Sequence, residues 1–305
     1  MQISKNQSTF LKGVAVIFVI ISHFIGGGYD LRIFTPFGGI GVALFLLLSG
    51  YGLNESYHHS GLISFWWKKL TRIGVPWFVW CAMFFIIGLA IPSLSKIHFI
   101  IRYWYLEYLI IWCFVFWFGR KVIRQSNMFL AFIAVISVVM FFIWPCLQAE
   151  QSLSFALGVA FSEKNHRAEG NKVALSKKWF KLLPIGLFVY ATLFLFIKQM
   201  PEIRAFGEQS LLMKVVQLNI KLSYALSVTI FFVQRHVPEW LEKMMLPVGV
   251  LSLELYLVQM EFFPNIQGRL WVLLLVTVAV VVLSILLHYI VKLIDKPLKA
   301  IKIKV

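Results

Sequence analysis

The chain has 305 residues, of which 60% are hydrophobic and 14% charged, and its formal net charge is +16. A soluble domain carries roughly 25% charged and 45–50% apolar residues, so the composition excludes an ordinary soluble globule and leaves no room for a separate soluble domain. The positive charge does not point to nucleic acid, because Lys and Arg lie in short loops beside apolar runs, where they orient a membrane protein.

Lys5 and Lys12 precede an apolar stretch, Gly13 to Ile21, that has the pattern of a secretory signal. No small-x-small cleavage site follows it, and it is read as a retained first helix. A bilayer crossing needs roughly 20 mostly apolar residues. Ten stretches fit: Phe10–Ile25, Gly38–Leu53, Gly74–Ile91, Ile101–Phe118, Met128–Trp144, Ala149–Phe161, Leu182–Ile197, Leu212–Val233, Met245–Phe263 and Leu270–Leu293. The sixth is short and carries Gln151 and Ser152 near its start, so charge must arbitrate. With ten spans and the N-terminus inside, 21 Lys and Arg fall on the inner side and 7 outside, with Lys221 inside a span; deleting the sixth gives 12 inside and 16 outside. The positive-inside rule therefore selects ten. The expected fold is all-α: one polytopic membrane helix bundle over residues 1–305, with about ten transmembrane helices, N- and C-termini cytoplasmic, and no internal repeat. Cys81, Cys113 and Cys146 fall in or beside apolar runs as buried free thiols, and no Cys/His metal spacing exists.

An ionisable side chain at the centre of a span costs about 2.5–3.5 kcal/mol on insertion scales and normally faces the bundle interior. Those present are His23, Glu107, Lys221, Glu254, Glu261 and His288. His23 follows Lys12 by 11 residues, which is about 16 Å along a helix. It can serve as a general base near neutral pH, or simply bond a neighbouring helix. Lys68, Lys69 and Arg72 read either as an ordinary inner flank or as a phosphate site, since Arg and Lys suit phosphate. The small residues Gly38, Gly39, Gly41, Ser49, Gly50 and Gly52 permit close helix approach or line a site. Glu107 and Glu254 are the expected partners of Lys221 or His23. His288 reads as structural. His58, His59, His98, His166 and His236 read as solvated loop residues. No GxSxG, P-loop or HExxH is present, so any chemistry rests on a sparse site inside the bundle.

The chain resembles the acyltransferase-3 family of membrane acyltransferases over nearly its full length. Phe10-Leu11-Lys12-Gly13-Val14-Ala15 running to His23 is similar to the family's opening, where a basic residue precedes a His at this interval. Gly41-Val42-Ala43-Leu44-Phe45 through Ser49-Gly50-Tyr51 resembles its second-helix signature. Lys69-x-x-Arg72, within Phe65-Trp66-Trp67-Lys68-Lys69-Leu70-Thr71-Arg72-Ile73, resembles its R-x-x-R segment. Trp104-Tyr105-Leu106, Ser252-x-x-x-Tyr256-Leu257 and Asp295-Lys296-Pro297 resemble three later motifs. The sequence departs from the family at Lys12 and Lys69, where Arg is usual, at Thr9, where an acidic residue is common, and at Gln259, where a His often ends the late motif.

The resemblance implies an O-acetyltransferase of the surface-polysaccharide type. The acetyl group would pass from cytoplasmic acetyl-CoA to a hydroxyl of a cell-surface or lipid-linked glycan. His23 would be the catalytic base or acyl relay, and Lys12, Lys69 and Arg72 would hold the CoA phosphates. Ser49, Tyr51, Trp104, Glu107, Glu254 and Tyr256 would line the site. No permanently bound cofactor and no metal are expected. The partners would be acetyl-CoA, the glycan acceptor and membrane lipid, in the plasma (inner) membrane of a bacterium. Two other readings use the same residues. One is a lipid-linked oligosaccharide flippase, with Lys221, Glu254 and Glu261 on a polar path. The other is a polysaccharide-assembly membrane protein with this frame but no activity.

Overall fold

A computed structural model describes residues 2–27, 34–90, 103–168, 177–235, 237–262 and 270–302, and every regular element among them is helical. Helix α1 (Lys5–Ile21) opens on a capping box: the Ser4 hydroxyl accepts from the Gln7 N–H while the Gln7 side chain accepts from the Ser4 N–H, which satisfies two orphan donors reciprocally. It runs into a π-helical turn, Ser22–Gly27. Helix α2 (Pro36–Ser60) begins on a proline, where a missing N–H costs nothing, and stops at Gly61 with φ 57°. Helix α3 (Phe65–Lys69) continues through a second π turn, Leu70–Gly74, into α4 (Val75–Ala90). The third expected span therefore belongs to a helical rod that begins at Phe65, not at Gly74.

The remaining elements are α5 (Trp104–Val122), α6 (Ser126–Ile143), the short α7 (Cys146–Ala149), α8 (Ser152–Ala168), α9 (Lys177–Gln199), the short α10 (Pro201–Arg204), α11 (Leu211–Gln234), α12 (Glu239–Val250), α13 (Ser252–Phe262) and α14 (Leu270–Lys302). Among the described residues seven helical segments are long and apolar enough to cross a membrane. The other three expected spans are also helical, and each differs for a visible reason. Helix α5 carries Glu107, Arg120 and Lys121; α8 has only 17 residues. The expected span Met245–Phe263 is two short helices, α12 and α13, which break at Leu251 after Pro247, a residue that removes an intrahelical hydrogen bond and clashes with the preceding turn.

Helix α2 is the centre of the bundle: 72% of its apolar window is buried, against 22% for the windows in α6 and α14. A helix that is apolar all round belongs in the interior. Glycine allows its neighbours to close on it. A Cβ on Gly50 would collide with the Phe155 carbonyl, and one on Gly158 with the Leu47 carbonyl, so α2 and α8 cross in reciprocal contact. Small residues are the usual basis of such crossings in membranes. Helices α4, α6, α9 and α14 turn Phe78, Ile143, Phe196 and Leu293 outward, as lipid-facing surfaces do.

Several buried charged groups are paired across the helices. Lys221 on α11 donates to Glu150 at 2.7 Å, and its chain lies over Gly39, whose carbonyl accepts from Gln151. Glu254 accepts from or donates to His288 Nδ1 at 2.8 Å. The expectation that Glu107 and Glu254 partner Lys221 or His23 is thus corrected: Glu107 is on the exposed face of α5, and Glu254 serves α14. His58 and His166 are not solvated loop residues either. Their rings stack at 4.0 Å, and they contact Glu163 at 2.9 Å and Glu55 at 3.2 Å respectively. His98 and His236 lie outside the described residues.

At the same end Arg120 is buried between the Tyr57 and Phe129 rings and donates to Asn54 and Glu163. Glu163 lies beyond the apolar stretch of α8. Burial alone would push its carboxyl up, but hydrogen bonds from Ser126, His58, Asn54 and Arg120 override this and hold it at about 2. The folded state therefore prefers the carboxylate. That stabilisation is complete above the ordinary value of 4.5 and is lost as pH falls toward about 2. Glu163→Gln leaves Arg120 as an uncompensated buried charge and should cost roughly 3–5 kcal/mol. Thermal unfolding of the detergent-purified protein should show this loss near neutral pH, together with a weakened acid dependence below pH 4.5.

Candidate functional site

The basic end of the bundle holds a cavity of about 430 Å³ bounded by α1, α2, α3 with its π turn, α5, α12 and α13. Lys12, Lys68, Lys69 and Arg72 line it, together with Ser49, Gly52 and Ser56 of α2 and Tyr105, Leu109 and Cys113 of α5. Ser252, Glu254 and Tyr256 come from α13. Helix α2 faces the space with the small residues Ser49, Gly52 and Ser56 alongside Phe45, Leu48 and Leu53, and nothing lies within 4 Å of where a Gly52 Cβ would stand. The π turn Leu70–Gly74 shifts the register of Arg72 relative to Lys69. Such one-residue insertions concentrate at functional sites. The other π turn carries His23.

The electrostatics of the cavity are one-sided. The charges of Arg72 and Lys69 both reach Lys12. Lys68 donates to the Ser60 hydroxyl at 2.9 Å, and Lys69 stands 5.6 Å from the Phe65 ring centroid. Among the described residues no carboxylate pairs with Lys12, Lys69 or Arg72. The carboxylate in the lining, Glu254, is engaged by His288. Like charges brought together at reduced dielectric repel, and an anion with several acceptor oxygens relieves that repulsion. Phosphate suits both Arg and Lys.

The sequence-derived site residues divide into two groups. Lys12, Lys69, Arg72, Ser49, Glu254 and Tyr256 meet at the cavity. His23, Tyr51, Trp104 and Glu107 are not in its lining. Tyr51 holds the chain's start, accepting from the Ile3 N–H at 3.0 Å and from Asn165 at 3.3 Å. Trp104 packs against the core at the start of α5, and Glu107 faces outward. His23 lies on the π turn that follows α1, where its Nδ1 is buried with no hydrogen-bond partner among the described residues. Sequence reasoning did not select Phe45, Tyr105, Leu109 or Cys113 as lining. A signal for the last three existed, since Tyr105, Leu109 and Cys113 recur every four residues and so share one face of α5. Among the described residues no three His, Cys, Asp or Glu side chains gather as a metal site.

A family model described as an acyltransferase domain, that of the acyltransferase-3 family, matches residues 6–292. No curated protein and no solved structure matches the chain. The match covers nearly the whole chain, including both π turns, the four cations of the cavity and the late motif on α13. With its several long apolar helices, the chain is a multi-pass membrane protein and belongs to the acyltransferase-3 family of acyltransferases.

Proposed function

We propose that the chain transfers an acetyl group from cytoplasmic acetyl-CoA to a hydroxyl of a cell-surface or lipid-linked glycan. The observation that carries this reading is the cluster of Lys12, Lys68, Lys69 and Arg72 on one cavity, with no carboxylate paired to Lys12, Lys69 or Arg72 among the described residues. Such a cluster suits the phosphates of CoA. The cavity then receives the pantetheine arm between α2, α5 and α13, with Ser49 and Tyr256 beside it. The proposed topology is ten spans with both termini cytoplasmic, in the inner membrane of a bacterium. It supplements the seven long helices with α5, α8 and the broken pair α12–α13, and it puts the basic end on the side where CoA is found.

His23 supplies the base in this proposal. The acceptor oxygen attacks the thioester carbonyl carbon as its proton passes to the imidazole. The C–O bond forms, the C–S bond breaks, and the proton is returned to the departing CoA sulfur. A neutral His suits this work near neutral pH, and the unpartnered Nδ1 of His23 is free to take part. The flippase reading has less to rest on, because the polar residues it would use are engaged: Lys221 with Glu150, Glu254 with His288, and Glu261 with the Tyr103 hydroxyl.

Two measurements test the proposal. The double variant Lys69→Ala/Arg72→Ala should lose CoA affinity by roughly 100-fold, since a charge-assisted hydrogen bond contributes about 1.5–3 kcal/mol. Binding of labelled CoA to the purified protein reads this out, and undiminished binding would remove the phosphates from this cavity. His23→Ala should retain CoA binding and reduce transfer by about 10²–10⁴-fold, the usual worth of general base catalysis. NMR of surface glycan from a strain carrying the variant checks it. Full acetylation by a variant that still inserts would end the role assigned to His23.

A further inference from the structure

The cavity ends on a layer of three aromatic rings. On α2 the lining runs from Ser56 to Phe45, on α5 from Cys113 to Tyr105, and on α13 from Ser252 to Tyr256. Each of the three helices thus contributes an aromatic residue as its lining residue farthest from the cations. The rings touch: Phe45 and Tyr105 have centroids 5.7 Å apart, and Tyr105 and Tyr256 meet edge to face at 5.1 Å. Their residues are 7%, 4% and 2% exposed. The layer is backed by Tyr103, whose ring is 6.3 Å from that of Tyr256 and whose hydroxyl is held by Trp80 and Glu261.

His23 lies beyond this layer. Helices α1 and α2 are antiparallel, and a Cβ on Gly38 would stand 2.8 Å from the Ser22 hydroxyl, so Gly38 and Ser22 share a level. Phe45 is seven residues along α2 from Gly38, which is about 10 Å of helix. The imidazole therefore lies about 10 Å deeper along the bundle than the ring of Phe45, away from the cations.

We infer that Phe45, Tyr105 and Tyr256 are the acyl-size filter of the enzyme, admitting an acetyl-sized group and rejecting longer chains. The inference rests on the donor reading of the cavity. A thioester whose phosphates sit on Lys12, Lys69 and Arg72 meets the rings with its acyl end before it reaches the depth of His23. A two-carbon group needs small ring displacements. A longer chain needs a hole that tight packing does not provide, because overfilled cores force side chains off their rotamers.

The test uses the full chain in nanodiscs and displacement of labelled CoA by CoA, acetyl-CoA, butyryl-CoA and hexanoyl-CoA. The unmodified protein should prefer acetyl-CoA to hexanoyl-CoA. Phe45→Ala should raise hexanoyl-CoA binding relative to acetyl-CoA by about tenfold or more, since each newly buried methylene contributes about 0.8 kcal/mol. Phe45→Trp should act in the opposite direction, weakening acetyl-CoA while CoA itself still binds. If the alanine variant is not recovered folded, Tyr256→Leu and Phe45→Trp carry the same comparison. An unchanged acetyl-to-hexanoyl ratio in variants that bind CoA normally overturns the filter and leaves the donor cavity standing. Absence of CoA binding, or CoA binding indifferent to Lys69→Ala/Arg72→Ala, overturns the donor reading and the filter with it.

Discussion

Inside a bilayer a buried polar group has no water to fall back on, so each must find its partner within the protein. That constraint organises the molecule. Lys221 takes Glu150, Glu254 takes His288, Arg120 takes Glu163 and Asn54, and Glu261 takes Tyr103. Each pair joins helices distant in sequence and fixes their rotation, because an unpaired member would be a desolvated charge costing several kcal/mol. With those buried charges accounted for, Lys12, Lys69 and Arg72 stand out: they are gathered on one cavity and no carboxylate pairs with them among the described residues.

The packing around α2 makes that gathering possible. Gly50 and Gly158 let α8 close against one side of α2, and Gly41 meets the Ala15 carbonyl of α1 on another. Along the cavity, α2 instead presents Ser49, Gly52 and Ser56, small side chains that are not covered by a neighbouring helix. One helix thus serves both as a partner in close glycine crossings and as a wall of the cation-lined cavity. The glycine-rich segment therefore answers to both packing and site lining, at different residues: Gly38, Gly39, Gly41 and Gly50 pack, while Ser49 and Gly52 line.

Much of this was legible in the chain's apolar runs and charges. The long apolar helices and the cation cluster follow from hydropathy and from residues adjacent in sequence. The break between α12 and α13 had a signal in Pro247, which the reading of Met245–Phe263 as one span did not use. The pairings were not legible, because they depend on helix azimuth. Glu254 points to α14, and Glu150, at the start of the expected sixth span, reaches Lys221 from the short segment before α8. The two π turns were equally invisible, since one inserted residue leaves the hydrophobic pattern almost unaltered. Yet those turns set the orientation of Arg72 and of His23.

The departures at Lys12 and Lys69 acquire a physical meaning in this setting. Arg offers a planar fork that suits a fixed bidentate contact, whereas Lys is a compact point charge on a flexible stem. Arg72 retains the fork at an exposed position on the π turn, while Lys12 and Lys69 sit on regular helix farther from solvent. A phosphate caught by the fork at the rim can therefore be followed inward by two mobile ammonium groups that adapt to its oxygens without a prescribed geometry. Orientation is then set less by those contacts than by the walls of α2, α5 and α13, which converge on the aromatic layer. In the proposed donor complex, the charge would draw the CoA phosphates in and the shape of the bundle would decide how far the acyl end goes.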